Sequence, residues 1–316
     1  MQILKKVAQL FATVILVTLF ASILLELLPG DPVEVLVPFG SDESREMVRE
    51  DLGLDNSFVS RYANWLGGFA GCAVAWAGVA ECDLGSYYTV SSNRPVLDRV
   101  TDAFPVSLQL MVYAQLIGLV IAIPMGVLTA HRKGTFFDRM SNTTAFAMLA
   151  IPNFALGFVL QYYLGVQAGW FPTSGNNAGQ WWVLPSVTLA VGQIAVYMRL
   201  LRSDMIATLQ QDFILMAKAK GLRTRRILFR HALRPSSLTL LTVAGLNVGT
   251  LIGGTLIIEV VFSVPGMGFL LFEAISARQI VAFQSIVAIV AILYVLVNFA
   301  VDLLYTALDP RIRNAR

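Results

Sequence analysis

The chain has 316 residues, 56% of them hydrophobic and only 14% charged, and its 23 basic and 20 acidic side chains leave a formal net charge of +3. Soluble domains average about 45–50% apolar and about 25% charged residues, so this set of ionised groups is too sparse to clothe a water-facing globule. With 24 Gly, 12 Pro and 2 Cys, the composition also excludes a disordered tail protein, a collagen-like chain and a disulfide scaffold, which leaves an integral membrane protein.

Asp, Glu, Lys and Arg are absent from 7–25, 103–131, 140–198, 235–258 and 279–301. A bilayer-crossing helix needs about 20 predominantly apolar residues. The 140–198 gap is long enough for two, parted by a run of turn formers from Gly169 to Asn177 with Trp170, Trp181 and Trp182 as an interfacial aromatic belt. Six spans are therefore predicted, at 7–28, 104–130, 141–168, 183–203, 236–259 and 280–304. The first follows Lys5 and Lys6 as a signal peptide would, but its apolar run exceeds an h-region of about 7–15 residues. No small-x-small cleavage site precedes Leu28-Pro29-Gly30-Asp31-Pro32, so it reads as a span.

Six spans with a cytoplasmic amino terminus put 17 of the 23 basic residues inside, among them Arg132, Lys133, Arg139 and the nine from Arg199 to Arg234. That satisfies the positive-inside rule with both termini in the cytoplasm. A seventh span at Leu66 to Ala80 is rejected: its fifteen residues would reach only about 22 Å, and one more pass would put the basic stretch outside. Residues 29–103 then form one large extracytoplasmic segment with twelve acidic and five basic residues. It holds both cysteines, Cys72 and Cys82, where the oxidising side permits a disulfide. Two free thiols in a half-buried loop are the alternative.

The cytoplasmic stretch 199–234 carries nine basic residues against Asp204 and Asp212. Burying such charges at a helix centre would cost about 2.5–3.5 kcal/mol each. Gln211 to Leu222 reads as a helix stopped by Gly221, and Arg223 to Leu233 as a second short helix ended by Pro235. Phe213 and Ala217 share a face at i, i+4, as do Leu228 and Ala232. Composition alone leaves two uses open, a docking surface for another protein and a basic loop on anionic headgroups.

Met216-Ala217-Lys218-Ala219-Lys220-Gly221-Leu222, followed by Arg230-His231-Ala232-Leu233-Arg234-Pro235, resembles the EAA-type coupling loop of bacterial ABC importer permeases of the dipeptide and oligopeptide (peptide/nickel) family. Leu28-Pro29-Gly30-Asp31-Pro32, Val264-Pro265-Gly266-Met267-Gly268 and the segment from Asp302 to Arg311 also resemble that family. So does Asp83-Leu84-Gly85-Ser86-Tyr87 with Pro95-Val96 beyond it, so the likeness runs the length of the chain. Two departures stand out: an apolar residue, Leu215 or Met216, occupies the position of the EAA glutamate, and the Cys72 to Cys82 stretch looks like an insertion.

The resemblance implies an all-α integral membrane protein of the type I ABC importer permease fold, the first (B-type) permease subunit, in the bacterial cytoplasmic (inner) membrane. Residues 1–28 would be the cytoplasmic amino terminus and first span, 29–103 the extracytoplasmic segment, and 104–316 the permease core with its coupling loop at 204–235. Its implied partners are a second homologous permease, two ATPase subunits or one fused ATPase that bind the ATP and Mg2+, an extracytoplasmic solute-binding protein and the lipid bilayer, with no nucleic acid. The residues it marks for ATPase coupling are Phe213, Ala217, Ala219, Gly221, Leu222, Arg225, Leu228 and His231. ATP-driven closure of the ATPase pair would press on 211–234 and turn the pathway from inward-open to outward-open. Members of this family move dipeptides, oligopeptides, glutathione, nickel complexes or sugars, and a peptide is expected here.

The chain contains no Gly-Lys pair and so no P-loop; no catalytic residue or metal site is expected. His131 and His231 fall in cytoplasmic loops, and Glu26, Glu259 and Asp302 lie near span ends, which argues against a proton relay. Gly245, Gly249 and Gly253 form a small-residue stripe on the fifth span, suited either to packing within the chain or to a paired permease. Asn247, Gln109, Gln115, Gln161, Gln193 and Asn298 are expected to bond between helices or line the pathway, and Pro124 and Pro152 to kink spans two and three. Two other classes remain as alternatives, an ATP-independent channel or facilitator and a membrane-anchored structural or sensory subunit.

Overall fold

The computed structural model describes residues 2–75, 84–87, 94–175 and 179–308, which are helical apart from one two-stranded ribbon. In chain order the elements are α1 (Gln2–Glu26), α2 (Pro32–Leu36), α3 (Asp42–Asp51), α4 (Phe58–Ala75), β1 (Ser86–Tyr87), β2 (Arg94–Pro95), α5 (Val96–His131), α6 (Phe136–Ala150) and α7 (Asn153–Leu160), which runs into a π-helical stretch Gln161–Gln167. They continue with α8 (Val183–Leu209), α9 (Asp212–Ala219), α10 (Thr224–Arg226), a π-helical turn Ile227–Ala232, α11 (Leu233–Val261), α12 (Met267–Ser276) and α13 (Ile280–Leu308). β1 and β2 pair antiparallel with Ser86 opposite Pro95.

Among the described residues, four helices are long and apolar enough to cross a membrane: Val96–His131, Val183–Leu209, the continuous run Thr224–Val261, and Ile280–Val301. α6 and α7 with its π-helical end pass the same test together, but as a pair bent by 100°. Phe11–Glu26 is a shorter apolar helix.

The chain divides into two compact units, Met1–Val106 with Pro265–Val295, and Ser107–Val264 with Leu296–Arg316. In the first, Val96, Val100 and Ala103 are buried with Leu25, Met267, Leu270, Phe283 and Ile286. This explains why α5 starts eight residues before the expected span at 104: its opening is amphipathic, with Asp98, Arg99 and Asp102 on the other side, and a search for charge-free runs cannot see it. Trp65 of α4 is buried and donates from Nε1 to Ser285 Oγ at 2.8 Å, and Ser285 Oγ donates to the Leu84 carbonyl at 2.7 Å. The Leu66–Ala80 run rejected as a span thus falls partly on α4; its residues from Trp76 onward lie outside the described set. The Leu28–Pro32 motif is a knot of backbone capture: Arg278 donates to the Leu28 and Pro29 carbonyls, while Asp31 caps α2 at Val33 N and pairs with Arg49.

Two expectations fail in the second unit. The third span bends at Pro152 as expected, but it is not one helix over 141–168: Ile151 leaves the helical region (φ −89°, ψ 122°) immediately before the proline. A residue preceding proline is pushed to extended geometry, and proline has no N–H with which to continue the ladder. Nor does Pro235 end a helix: α10, the π turn and α11 run through it without a break. The widened turn immediately before it gives slack where a regular α-helical turn would drive the ring into the carbonyl four residues back. Pro124 lies inside α5 without interrupting it.

Candidate functional site

The core of the second unit is built from Ala122, Val127, Ala145, Tyr197, Leu201, Met205, Ile214, Ala217, Ile227, Leu228 and Ala232, all buried. It holds the segment 211–234 against α8. On α9, Ile214 and Ala217 point into that core at i, i+3, whereas Phe213, Leu215 and Met216 are 42%, 54% and 61% exposed. The helix stops at a Schellman cap, in which Gly221 N donates to Lys218 O at 2.9 Å and Leu222 N to Ala217 O at 3.3 Å. Gly221 sits at φ +73°, a left-handed conformation that glycine adopts without a Cβ penalty, and no atom lies within 4 Å of where a Cβ would stand. Leu222 packs half-buried against the core, completing the apolar contact of this cap.

The eight residues marked for coupling therefore separate. Phe213, Ala219, Gly221 and Arg225 are exposed, Leu222 and His231 are half-buried, and Ala217 and Leu228 are buried in the chain's own core. Phe213 and Ala217, paired by spacing, point to opposite environments, while Leu228 and Ala232 share a buried face. Leu215, Met216 and Phe229 are exposed apolar residues that the coupling set omits.

Beside this segment lies a clasp that the sequence did not single out. Asp138, 3% exposed, accepts from Arg202 Nε at 2.6 Å and Nη2 at 2.8 Å, from Asn142 Nδ2 at 2.8 Å and from Gly134 N at 2.9 Å. One carboxylate thus ties the α5–α6 turn and α6 to α8. Arg199, one turn earlier on α8, lies over the Phe146 ring of α6 at 3.8 Å from its centroid.

Deeper in the unit, three helices share an uncharged relay. Asn247 Nδ2 of α11 donates to Tyr197 Oη of α8 at 3.2 Å, Tyr197 Oη donates to Gln115 Oε1 of α5 at 3.2 Å, and Gln115 Nε2 donates to Ala244 O at 3.2 Å. Gln161 donates to the Thr173 and Val261 carbonyls, while Gln109 donates to Tyr113 Oη on its own helix. The glycine stripe divides as well. A Cβ on Gly245 would stand 2.9 Å from Val301 Cγ1, so Gly245 serves packing within the chain; Gly249 is buried, and a Cβ on Gly253 would meet open space. Equally close helix approaches come from α5, where Cβ atoms on Gly118 and Gly126 would stand 2.9 Å from Gln193 Oε1 and 3.0 Å from Leu201 Cβ.

Two family models cover almost all of this chain. The binding-protein-dependent transport system inner membrane component matches residues 122–314, and the N-terminal model of the corresponding membrane component matches 1–111. The chain belongs to this family of inner membrane permeases. It is 32% identical over 320 residues to a probable peptide ABC transporter permease of Sinorhizobium fredii, covering 98% of both chains. It is 30% identical over 312 residues to the glutathione transport system permease GsiC of Escherichia coli, again covering 98% of both. The solved inward-facing MetNI methionine ABC transporter shares the fold, with a TM-score of 0.57 at 19% identity, over 69% of this chain and 100% of that one. The protein is thus a multi-pass inner membrane ABC permease of the peptide and oligopeptide type, and nothing in these relationships supports an ATP-independent channel.

Of the two cysteines, Cys72 is half-buried on α4, and Cys82 lies outside the described residues. Tyr197, Asp138 and Asn142 are members of these networks that sequence reasoning missed. Asp138 had a usable signal, a lone acid among Arg132, Lys133 and Arg139 with Arg202 as a partner at the end of another span.

Proposed function

We propose that this chain is one half of the translocation pathway of a binding-protein-dependent importer of di- or oligopeptides. It has six spans, both termini in the cytoplasm, the 29–103 segment outside, and 104–316 as the permease core. α1 supplies the first span and the bent pair α6–α7 the third. A second permease completes the pathway, two ATPase subunits or one fused ATPase bind ATP and Mg2+ beneath the 204–235 loop, and a solute-binding protein delivers the peptide from outside. The chain itself performs no catalysis. The functions of its relatives, peptide and glutathione transport, support a peptide substrate.

The observation that carries the coupling role is α9 itself. Its inner face is locked into the permease core through Ile214 and Ala217, its end is fixed by the Gly221 cap, and its outer face offers Phe213, Leu215 and Met216 to a partner. A short helix so anchored moves as a rigid body with α8 and α11, so force on its outer face reaches the spans. The apolar residue in place of the EAA glutamate makes this contact one of surface burial, not of a charge pair. The exposed Arg223, Arg225 and Arg226 flank it and suit an acidic rim on the ATPase groove.

The test is reconstitution. The complex purified through this chain contains a second permease and the ATPase subunits, and in proteoliposomes with the binding protein it accumulates labelled di- or oligopeptides only when ATP is present. Purification of this chain alone, or ATP-independent equilibration of peptide, would overturn the reading.

A further inference from the structure

The α5–α6 turn gathers three cations that the clasp leaves unpaired. Arg132, Lys133 and Arg139 are all exposed, and among the described residues no carboxylate lies within ion-pair distance of them. The one acid nearby, Asp138, is turned inward and committed to Arg202. The turn that carries these cations is fixed. Gly134, at φ +82°, donates from its N–H to Asp138 Oδ2 at 2.9 Å, and Thr135 Oγ1 donates to Arg132 O at 2.7 Å while capping α6 at Asp138 N. The Arg132 guanidinium lies 5.6 Å from the centroid of the Phe137 ring. The positive charge is thus presented by a short hydrogen-bonded turn and not by a free loop.

α6 itself has two unlike sides. Asp138 and Ala145 are buried on the side tied to α8, and Asn142 between them bonds to Asp138. On the other side Phe136, Met140, Thr143, Ala147 and Ala150 recur at helical spacing, exposed throughout and uncharged. Phe136, 78% exposed, stands at the basic end of this stripe. At 1.5 Å per residue the stripe runs about 21 Å, more than the roughly 15 Å of hydrocarbon in one leaflet. Unpaired cations, an aromatic ring at their edge and then an apolar stripe of leaflet length follow the order of groups in a phospholipid: phosphate, interface, acyl chain. A soluble phosphate would use the cations alone, and a protein partner would use the stripe without needing the cations at its end.

We propose that the α5–α6 turn and the outer side of α6 form a binding site for an anionic phospholipid of the cytoplasmic leaflet. Arg132, Lys133 and Arg139 take the phosphate charge, Phe136 sits at headgroup level, and an acyl chain lies along Met140, Thr143 and Ala147. Asp138 ties the same turn to Arg202 of α8, so the bound lipid fixes that clasp at the membrane surface. The site rests on the topology proposed above, in which α6 opens the third span from the cytoplasmic side.

The experiment uses the assembled transporter, ATPase subunits included, in mild detergent with sub-saturating phosphatidylglycerol that carries a photoreactive diazirine in one acyl chain. Labelled peptides are mapped by mass spectrometry, and phosphatidylcholine with the same chain is the comparison. Labelling of 136–150 is at least tenfold stronger with phosphatidylglycerol. Excess unlabelled phosphatidylglycerol displaces it, whereas phosphatidylcholine and inorganic phosphate do not. Arg132→Gln, Lys133→Gln or Arg139→Gln alone lowers the signal about fivefold, and the three together bring it to the phosphatidylcholine level in complexes that still assemble. Equal labelling by the two probes, or an undiminished signal in the triple variant, would overturn the site. Displacement by inorganic phosphate would reveal a phosphate site without a lipid, and labelling seen only in the isolated chain would reveal a side covered by a partner subunit; either result defeats the proposal. No labelling by either probe, even in the isolated chain, would instead sink the placement of α6 in the membrane, so the two failures are told apart.

Discussion

Gly221 offers the sharpest test of how force enters this permease. Its φ of +73° costs an L-residue about 1–2 kcal/mol, and the space around its Cα is empty, so a side chain there meets strain and no clash within the chain. That strain falls on the two bonds that close α9, Gly221 N to Lys218 O and Leu222 N to Ala217 O, and on the packing of Leu222. A shift of 1–2 kcal/mol reduces the population of the capped form by a factor of about 5–30 relative to alternatives. If the ATPase engages only the capped helix, the coupled fraction falls with it. Asn tolerates the left-handed region, Ala does so poorly and a β-branched residue worst. Uptake per assembled complex therefore ranks Gly221, then Gly221→Asn, Gly221→Ala and Gly221→Val, with the last several-fold to tenfold below wild type. ATP-driven peptide uptake is measured in proteoliposomes, normalised to the ATPase subunits that co-purify. A ranking by side-chain size, with Gly221→Asn as impaired as Gly221→Val, would refute the conformational reasoning, and undiminished uptake in all three would refute the coupling role.

Further outcomes follow from the same geometry. Asp138→Ala strands the Arg202 fork, the Asn142 amide and Gly134 N–H; with Arg202 partly exposed, the loss is about 2–3 kcal/mol in detergent unfolding, and a change below about 0.5 kcal/mol would mean the clasp carries no stability. Tyr197→Phe removes the donor to Gln115 and the acceptor for Asn247, lowering stability in the same assay by about 1 kcal/mol; wild-type stability would show the relay to be idle. Gly245→Val drives a side chain into Val301 and costs about 1–3 kcal/mol, whereas Gly253→Val, with open space, leaves the isolated chain unaffected; equal effects would contradict this division of the stripe. The disulfide expected from the sequence, Cys72 with Cys82, is tested by intact mass: if it forms, both thiols resist alkylation until reductant is added and then take two labels; full labelling without reductant would show two free thiols.

Much of this protein was legible without coordinates, because the bilayer imposes a one-dimensional constraint. A charge within a span costs enough that gaps in Asp, Glu, Lys and Arg mark candidate spans, and basic residues between them mark a side. Of the five charge-free stretches, those at 103–131 and 235–258 each fall within one long apolar helix, 279–301 does so from Ile280 onward, and 140–198 covers most of the bent pair and most of α8. The Gly221 stop was also readable, since positive φ at a helix end is a local demand met by one residue type. Local rules went astray where two of them competed. Pro152 and Pro235 carry the same missing N–H, yet one breaks its helix and the other rides behind a π turn, because only the surrounding packing decides whether a ladder bends or widens. The amphipathic opening of α5 escaped for a related reason, its charges facing away from a core assembled from distant segments.

The sequence by itself determined that the chain is membrane-spanning and helical with a basic, glycine-stopped loop, since charge cost and turn chemistry act on neighbours in the chain; that it is a permease was carried by its family motifs. Which face of that loop is free was decided only by tertiary structure: Ala217 and Leu228 look as available as Phe213 until α8 is packed against them. The same holds for the Asp138–Arg202 clasp and the Gln115–Tyr197–Asn247 relay, which are relations among residues tens of positions apart. Their meaning lies in distance and burial, and those exist only once the helices have packed.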